Sequence, residues 1–156
     1  PMVRWCGAQG FDRTLMETMP LGGTGEDRTD HYLPLTQVAR MVRADHEMTP
    51  LPQRTGGPAR YFAVDGMRAR LGLITPMTHN FCADCNRMRM TCEGKIFMCL
   101  GHEDHVDLKA ALRDGGLPAV EPLIDRALRL KPARHDFQIG QDLDPTVARH
   151  MSVTGG

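Results

Sequence analysis

The sequence has no excess of either charge: 19 Lys and Arg balance 19 Asp and Glu over 156 residues. A neutral chain gives no basis for expecting a general binder of nucleic-acid polymers or anionic membranes. Long apolar runs are also missing. Nothing approaches the roughly 20 residues that a membrane helix needs. The opening residues, Pro1 to Trp5, show neither the apolar stretch nor the cleavage site of a secretory leader. The expectation is a cytoplasmic chain (mitochondrial in a eukaryote) with no membrane partner. Internal repeats and low-complexity tracts are absent as well. With hydrophobic residues at 41% and charged residues at 24%, the composition is that of a globular protein.

Cysteine is present and unevenly placed. Cys6 stands apart, while Cys82, Cys85, Cys92 and Cys99 crowd one stretch. Without a leader, a secreted disulfide framework is disfavoured and metal or redox chemistry is favoured. Cys82 and Cys85 form a C-x-x-C, a weak signal alone. No βαβ context of a thioredoxin-like motif accompanies it. Cys92 and Cys99 strengthen the case for a soft metal held by thiolates. A hairpin turning at Glu93-Gly94 would bring Cys99 back beside the C-x-x-C. Three thiolates can hold a 4Fe–4S cluster and leave one iron open to another ligand. If Cys92 joins them, the same stretch makes a closed tetrahedral zinc site. Spacing leaves both arrangements open.

Arg87 and Arg89 follow Cys85, and on a strand residues two apart share a face. Paired guanidinium groups beside a metal site suit a phosphate or nucleotide, because each can grip two oxygens. The plainer alternative is a solvated strand face. His79, His102 and His105 flank the cysteines, where each could be a fourth metal ligand; the favoured reading of each is a surface or hydrogen-bonded structural group. Arg126, Arg129, Lys131 and Arg134 lie on or just after the last helix. They suit its C-terminal dipole or an anionic ligand, and the sequence does not separate the two.

Along the chain, the pattern predicts a strand over 11–19, closed by Pro20 and Gly22-Gly23, and an amphipathic helix over 34–46. The proline- and glycine-rich stretch 48–58 reads as a loop and sets the domain boundary near residue 50. Asp65-Gly66 between apolar runs signals a hairpin over 61–74. A second hairpin is expected over 87–100, then helices over 106–113 and 118–130, then a tail over 131–156. Periodicity alone supports mixed α and β.

The stretch CADCNRMRMTCEGKIFMCL, beginning at Cys82, resembles the second-cluster motif of the GTP 3′,8-cyclase family of radical S-adenosylmethionine (SAM) enzymes. That pattern is C-x-x-C-N-R-x-R-x-T, followed by a Gly and then C-L. LMETMPLG, from Leu15, resembles the family's last barrel strand, and Gly155-Gly156 resembles its terminal double glycine. The likeness runs along essentially the whole chain but only along the C-terminal half of such an enzyme.

The resemblance implies an α/β barrel fragment plus an α+β region: the last strand of an incomplete barrel in residues 1–50, and a substrate and auxiliary-cluster domain in 51–156. It implies that Cys82, Cys85 and Cys99 ligate a 4Fe–4S cluster, and that Arg87, Met88 and Arg89 contact GTP. Met19 would line the SAM site, with a packed core methionine as the plainer alternative. Gly155 and Gly156 would act in the active site, with a frayed end as theirs. Cys92 has no ligand role in the family, which leaves the four-cysteine zinc module as the competing reading.

The activity implied is the lyase that turns GTP into 3′,8-cyclo-7,8-dihydro-GTP in molybdenum cofactor biosynthesis. SAM and a second 4Fe–4S cluster serve the intact enzyme. One departure is large: the SAM-cleaving C-x-x-x-C-x-x-C motif is absent. With the Pro1 start, it leads to the expectation of a C-terminal fragment that is inactive alone. Apolar surface left where barrel strands are missing would favour aggregation or a homodimer.

Overall fold

The computed structural model describes residues 1–23, 31–139 and 145–154. They group into two units: Pro1–Met19 with Asp30–Phe81, and Pro20–Thr29 with Cys82–Gly156. The architecture is α+β, with one mixed and one antiparallel sheet.

In the first unit, α1 (Met2–Gln9) is stopped by Gly10, which takes the left-handed conformation at φ 74°. Cys6 is buried in α1 and receives the Arg13 guanidinium on its sulfur. Next come β1 (Arg13–Met16) and α2 (Leu35–Asp45). β2 (Met48–Pro50), β3 (Arg60–Val64) and β4 (Arg70–Ile74) complete the sheet. The strand order is β1-β4-β3-β2, with β1 parallel to β4 and the other pairs antiparallel.

The Asp65-Gly66 turn forms as expected, with Gly66 at φ 74° and Met67 N–H bonded to the Val64 carbonyl. α2 lays Leu35 and Ala39 on the sheet, where they meet Met48, Val64, Leu71 and Leu73 in a dry cluster. One expectation is corrected: 48–58 is not all loop. Met48–Pro50 pairs with Val64, Ala63 and Phe62 as an edge strand, where a proline without an N–H is tolerated.

Glu17 follows β1 and is only 1% exposed. Its carboxylate accepts from Leu35 N–H at 3.0 Å, Met77 N–H at 2.8 Å, Thr78 N–H at 3.0 Å and the Thr78 hydroxyl. It thus satisfies an open N–H at the start of α2 and pins the turn after β4.

In the second unit, β5 (Arg89–Met90), β6 (Lys95–Phe97) and β7 (His105–Asp107) form an antiparallel sheet in that order. α3 (Leu108–Gly115) and α4 (Leu117–Leu130) follow. The expected second hairpin is present and turns through Gly94, at φ 83°. The expected helix over 106–113 starts later, because Val106 is taken by Ile96 as a strand partner. Asp107 then caps α3 by accepting from Ala110 N–H at 3.0 Å. Ile96, Met98, Val106 and Ala127 form this unit's core, with Met88 and Leu108 packed against it.

The Arg149 side chain is 7% exposed; it pairs with Glu103, donates to the Leu100 and His102 carbonyls, and lies 3.8 Å over the Phe97 ring. No described helix is long and apolar enough to cross a membrane.

Candidate functional site

The cysteine stretch begins in a single 3₁₀ turn over Cys82–Asp84, closed by Cys85 N–H on the Cys82 carbonyl at 3.0 Å. The chain then enters β5, turns, and returns along β6 to Met98 and Cys99. Cys82, Cys85 and Cys99 are half-buried, whereas Cys92 is exposed beside the turn.

Burial pushes the Cys99 thiol above the ordinary range, and negative charge on Cys82 and Cys85 adds to the rise. The Gly101 N–H, 3.4 Å from Cys99 Sγ, and the Lys131 ammonium oppose it. Cys99 therefore senses both members of the C-x-x-C. Among the described residues, no group of three or more His, Cys, Asp and Glu side chains stands close enough to hold a metal ion as placed.

Arg87 is exposed and precedes β5, while Arg89 is half-buried and opens it. Strand alternation therefore covers Arg89 and does not reach back to Arg87. Met88 lies between them with its side chain against the second core. Met19 is half-buried at the end of the first unit. Gly155 and Gly156 lie outside the described residues; the last described residue, Thr154, is buried, and its hydroxyl donates to the Met151 carbonyl.

The histidines have structural partners. His79 closes a turn with its backbone only, its N–H donating to the Thr75 carbonyl and its carbonyl accepting from the Thr75 hydroxyl. His102 Nε2 is 3.2 Å from the Arg134 carbonyl and 3.6 Å from Asp136. His105 bonds the Glu103 carbonyl and stacks on Phe97.

Sequence reasoning placed Lys131 at a helix end but missed what it touches. Its Nζ donates to the Arg87 carbonyl at 2.7 Å and the Met98 carbonyl at 2.8 Å, and lies 3.8 Å from Cys85 Sγ. Lys131 follows Cys85 by 46 residues, so no local spacing announces the contact. Glu17 was legible as part of a motif but not as a four-bond anchor, since its partners, Leu35 and the pair Met77 and Thr78, come from two distant places in the chain.

Residues 11–137 match the family described as Molybdenum Cofactor Synthesis C. Over 99% of its length the chain is 54% identical to a protein of Rhizobium meliloti (strain 1021) named GTP 3′,8-cyclase. It is 53% identical over 99% of its length to the protein of that name from Sinorhizobium medicae (strain WSM419). With the one from Erythrobacter litoralis (strain HTCC2594) the identity is 49%, again over 99% of this chain. The chain spans 45%, 45% and 47% of the lengths of these three relatives. A family match over most of its residues, enclosing the whole cysteine–arginine stretch, places this chain in the Molybdenum Cofactor Synthesis C family.

Proposed function

We propose that this chain is the substrate-binding portion of a GTP 3′,8-cyclase, which converts GTP to 3′,8-cyclo-7,8-dihydro-GTP in molybdenum cofactor biosynthesis. The observation that carries the reading is the site itself. Half-buried Cys82 and Cys85 precede β5 and half-buried Cys99 follows β6, the two paired arms of one hairpin, and exposed Arg87 stands two residues beyond Cys85. The name and identity of the relatives support the substrate.

In this reading Cys82, Cys85 and Cys99 hold a 4Fe–4S cluster. Their donor chemistry fits, since thiolates suit iron–sulfur clusters and Cys92 is turned to solvent. To hold the cluster, the three sulfurs would have to come closer than they stand. When bound, the cluster supplies an open iron that anchors the guanine.

The chain's own residues do the rest. Arg87 offers N–H donors to the GTP phosphates from an exposed position, and Arg89 adds a second guanidinium from β5. Met88, packed against the second core, contacts GTP beside them. Met19 lines the SAM site, and Gly155 and Gly156 reach the active site from the tail. SAM and a second cluster belong to the intact enzyme. Residues 1–50 supply the end of a barrel, and residues 51–156 serve substrate and cluster; β1 of the first part pairs in parallel with β4 of the second. The SAM-cleaving motif is not among these 156 residues, so the chain alone binds GTP without turning it over. Exposed Met2, Trp5, Phe11 and Met16 support self-association.

The test is GTP binding to the anaerobically reconstituted chain, by equilibrium dialysis. Arg87→Ala is expected to weaken binding by about tenfold or more, the size of a lost charge-assisted hydrogen bond. A reconstituted chain that binds no GTP would sink the reading.

A further inference from the structure

The β5–β6 pairing stops at Arg89 opposite Phe97. Two residues further out, the same register would set Arg87 opposite Cys99. Thr91 N–H bonds the Lys95 carbonyl at 2.9 Å, so Thr91 and Lys95 form a hydrogen-bonded rung. Such rungs alternate along an antiparallel ladder, which makes Arg89–Phe97 the next one and Arg87–Cys99 the one after. That last rung would use the Arg87 carbonyl to accept the Cys99 N–H. Instead, the Arg87 carbonyl accepts from Lys131, as does that of Met98.

An ammonium has three donors and no acceptor. Here two are spent on carbonyls of opposite hairpin arms, and Cys85 Sγ lies 3.8 Å from the same nitrogen. Lys131 is held from outside the hairpin. It closes α4, with its N–H on the Leu128 carbonyl, and α4 is seated on the hairpin through fully buried Ala127.

We propose that Lys131 is a positioning residue: its ammonium occupies the mouth of the β5–β6 hairpin and keeps Arg87 and Cys99 out of the strand ladder. The consequence for function rests on the roles given above to Arg87 and Cys99. An extended ladder would lock their backbones as partners and draw Cys99 into the sheet. With the lysine in place, both segments leave the sheet before reaching those residues.

The test is residue-resolved amide hydrogen exchange by NMR on the full 156-residue chain without metal, comparing the parent with Lys131→Met, which keeps length and loses the donors. The expected result is that the Cys99 amide becomes protected by about tenfold as the rung closes, while amides of α3 stay within about twofold. Unchanged or faster exchange at Cys99 would overturn the proposal. If Lys131→Met does not fold, Lys131→Gln answers in its place; its shorter neutral stem cannot bridge both arms, so the same protection is expected.

Iron uptake and GTP binding are read on the same variants. A Cys99 amide that closes in a chain whose parent takes neither cluster nor GTP would leave the spacer role standing and remove the proposed function. A parent that takes both, with an unchanged Cys99 amide in the variant, would do the reverse.

Discussion

Thr78 donates both its backbone N–H and its hydroxyl to the carboxylate of Glu17, one hydrogen bond to each oxygen. Leu35 shares one of those oxygens and Met77 the other. All four ties converge on a side chain 1% exposed. A carboxylate is the only side-chain group that can accept on both oxygens at once. Glu17→Gln is therefore expected to turn an amide NH₂ against the Met77 and Thr78 N–H groups in one flip, and against the Leu35 N–H and the Thr78 hydroxyl in the other. The expected cost is about 2–4 kcal/mol. The check is a urea denaturation midpoint followed by a probe in the first unit. A loss within error of zero would mean that the carboxylate is not the anchor.

The same carboxyl carries a pH signature. Burial pushes its pKa up, but the Thr78 hydroxyl and the Leu35, Thr78 and Met77 N–H groups more than offset this, leaving it below the ordinary 4.5. A depressed folded-state pKa means stability that is fully present above 4.5 and lost as pH falls through the lower folded value. The stability difference between the parent and Glu17→Gln is expected to be constant near neutrality and to narrow on acidification below 4.5. A difference that widens in acid would show that the carboxyl is held protonated instead.

In the second unit the comparable anchor is Arg149. Its guanidinium fills donor positions toward Glu103 and two backbone carbonyls, with its face on Phe97. Arg149→Met keeps much of the packing and leaves the Leu100 and His102 carbonyls without that donor. The expected loss is about 1–3 kcal/mol, because two part-buried carbonyls lose a charged donor, whereas exposed Glu103 is left to water. Thermal melting of this variant against the parent measures it, and an unchanged midpoint would contradict the assignment.

Where local chemistry decided the structure, the sequence was readable. Asp65-Gly66 and Gly94 need left-handed backbone, and both hairpins stand where those residues put them. The apolar face of α2 was read from the spacing of Leu35, Val38, Met41 and Val42; Leu35, Val38 and Val42 do meet the core, but Met41 is exposed, because it sits at the edge of that face. Elements decided by distant partners were not readable. Met48–Pro50 looks like linker until β3 offers it an edge. His105–Asp107 looks like a helix start until Ile96 claims Val106.

The site divides in the same way. The cysteine and arginine spacing was legible, because it is local. The contacts of Lys131 were not, because they join a helix end to two carbonyls far away in sequence.

The central claim is that Cys82, Cys85 and Cys99, without Cys92, form an iron–sulfur ligand set. The most direct measurement is iron, acid-labile sulfide and zinc per chain after anaerobic reconstitution, on the parent and on four single Cys→Ala variants. The account predicts about four irons and four sulfides per chain, as one 4Fe–4S cluster requires. That content should be lost in Cys82→Ala, Cys85→Ala and Cys99→Ala and retained in Cys92→Ala. One zinc per chain with negligible sulfide, lost also in Cys92→Ala, would contradict it and assign the stretch to a structural zinc site.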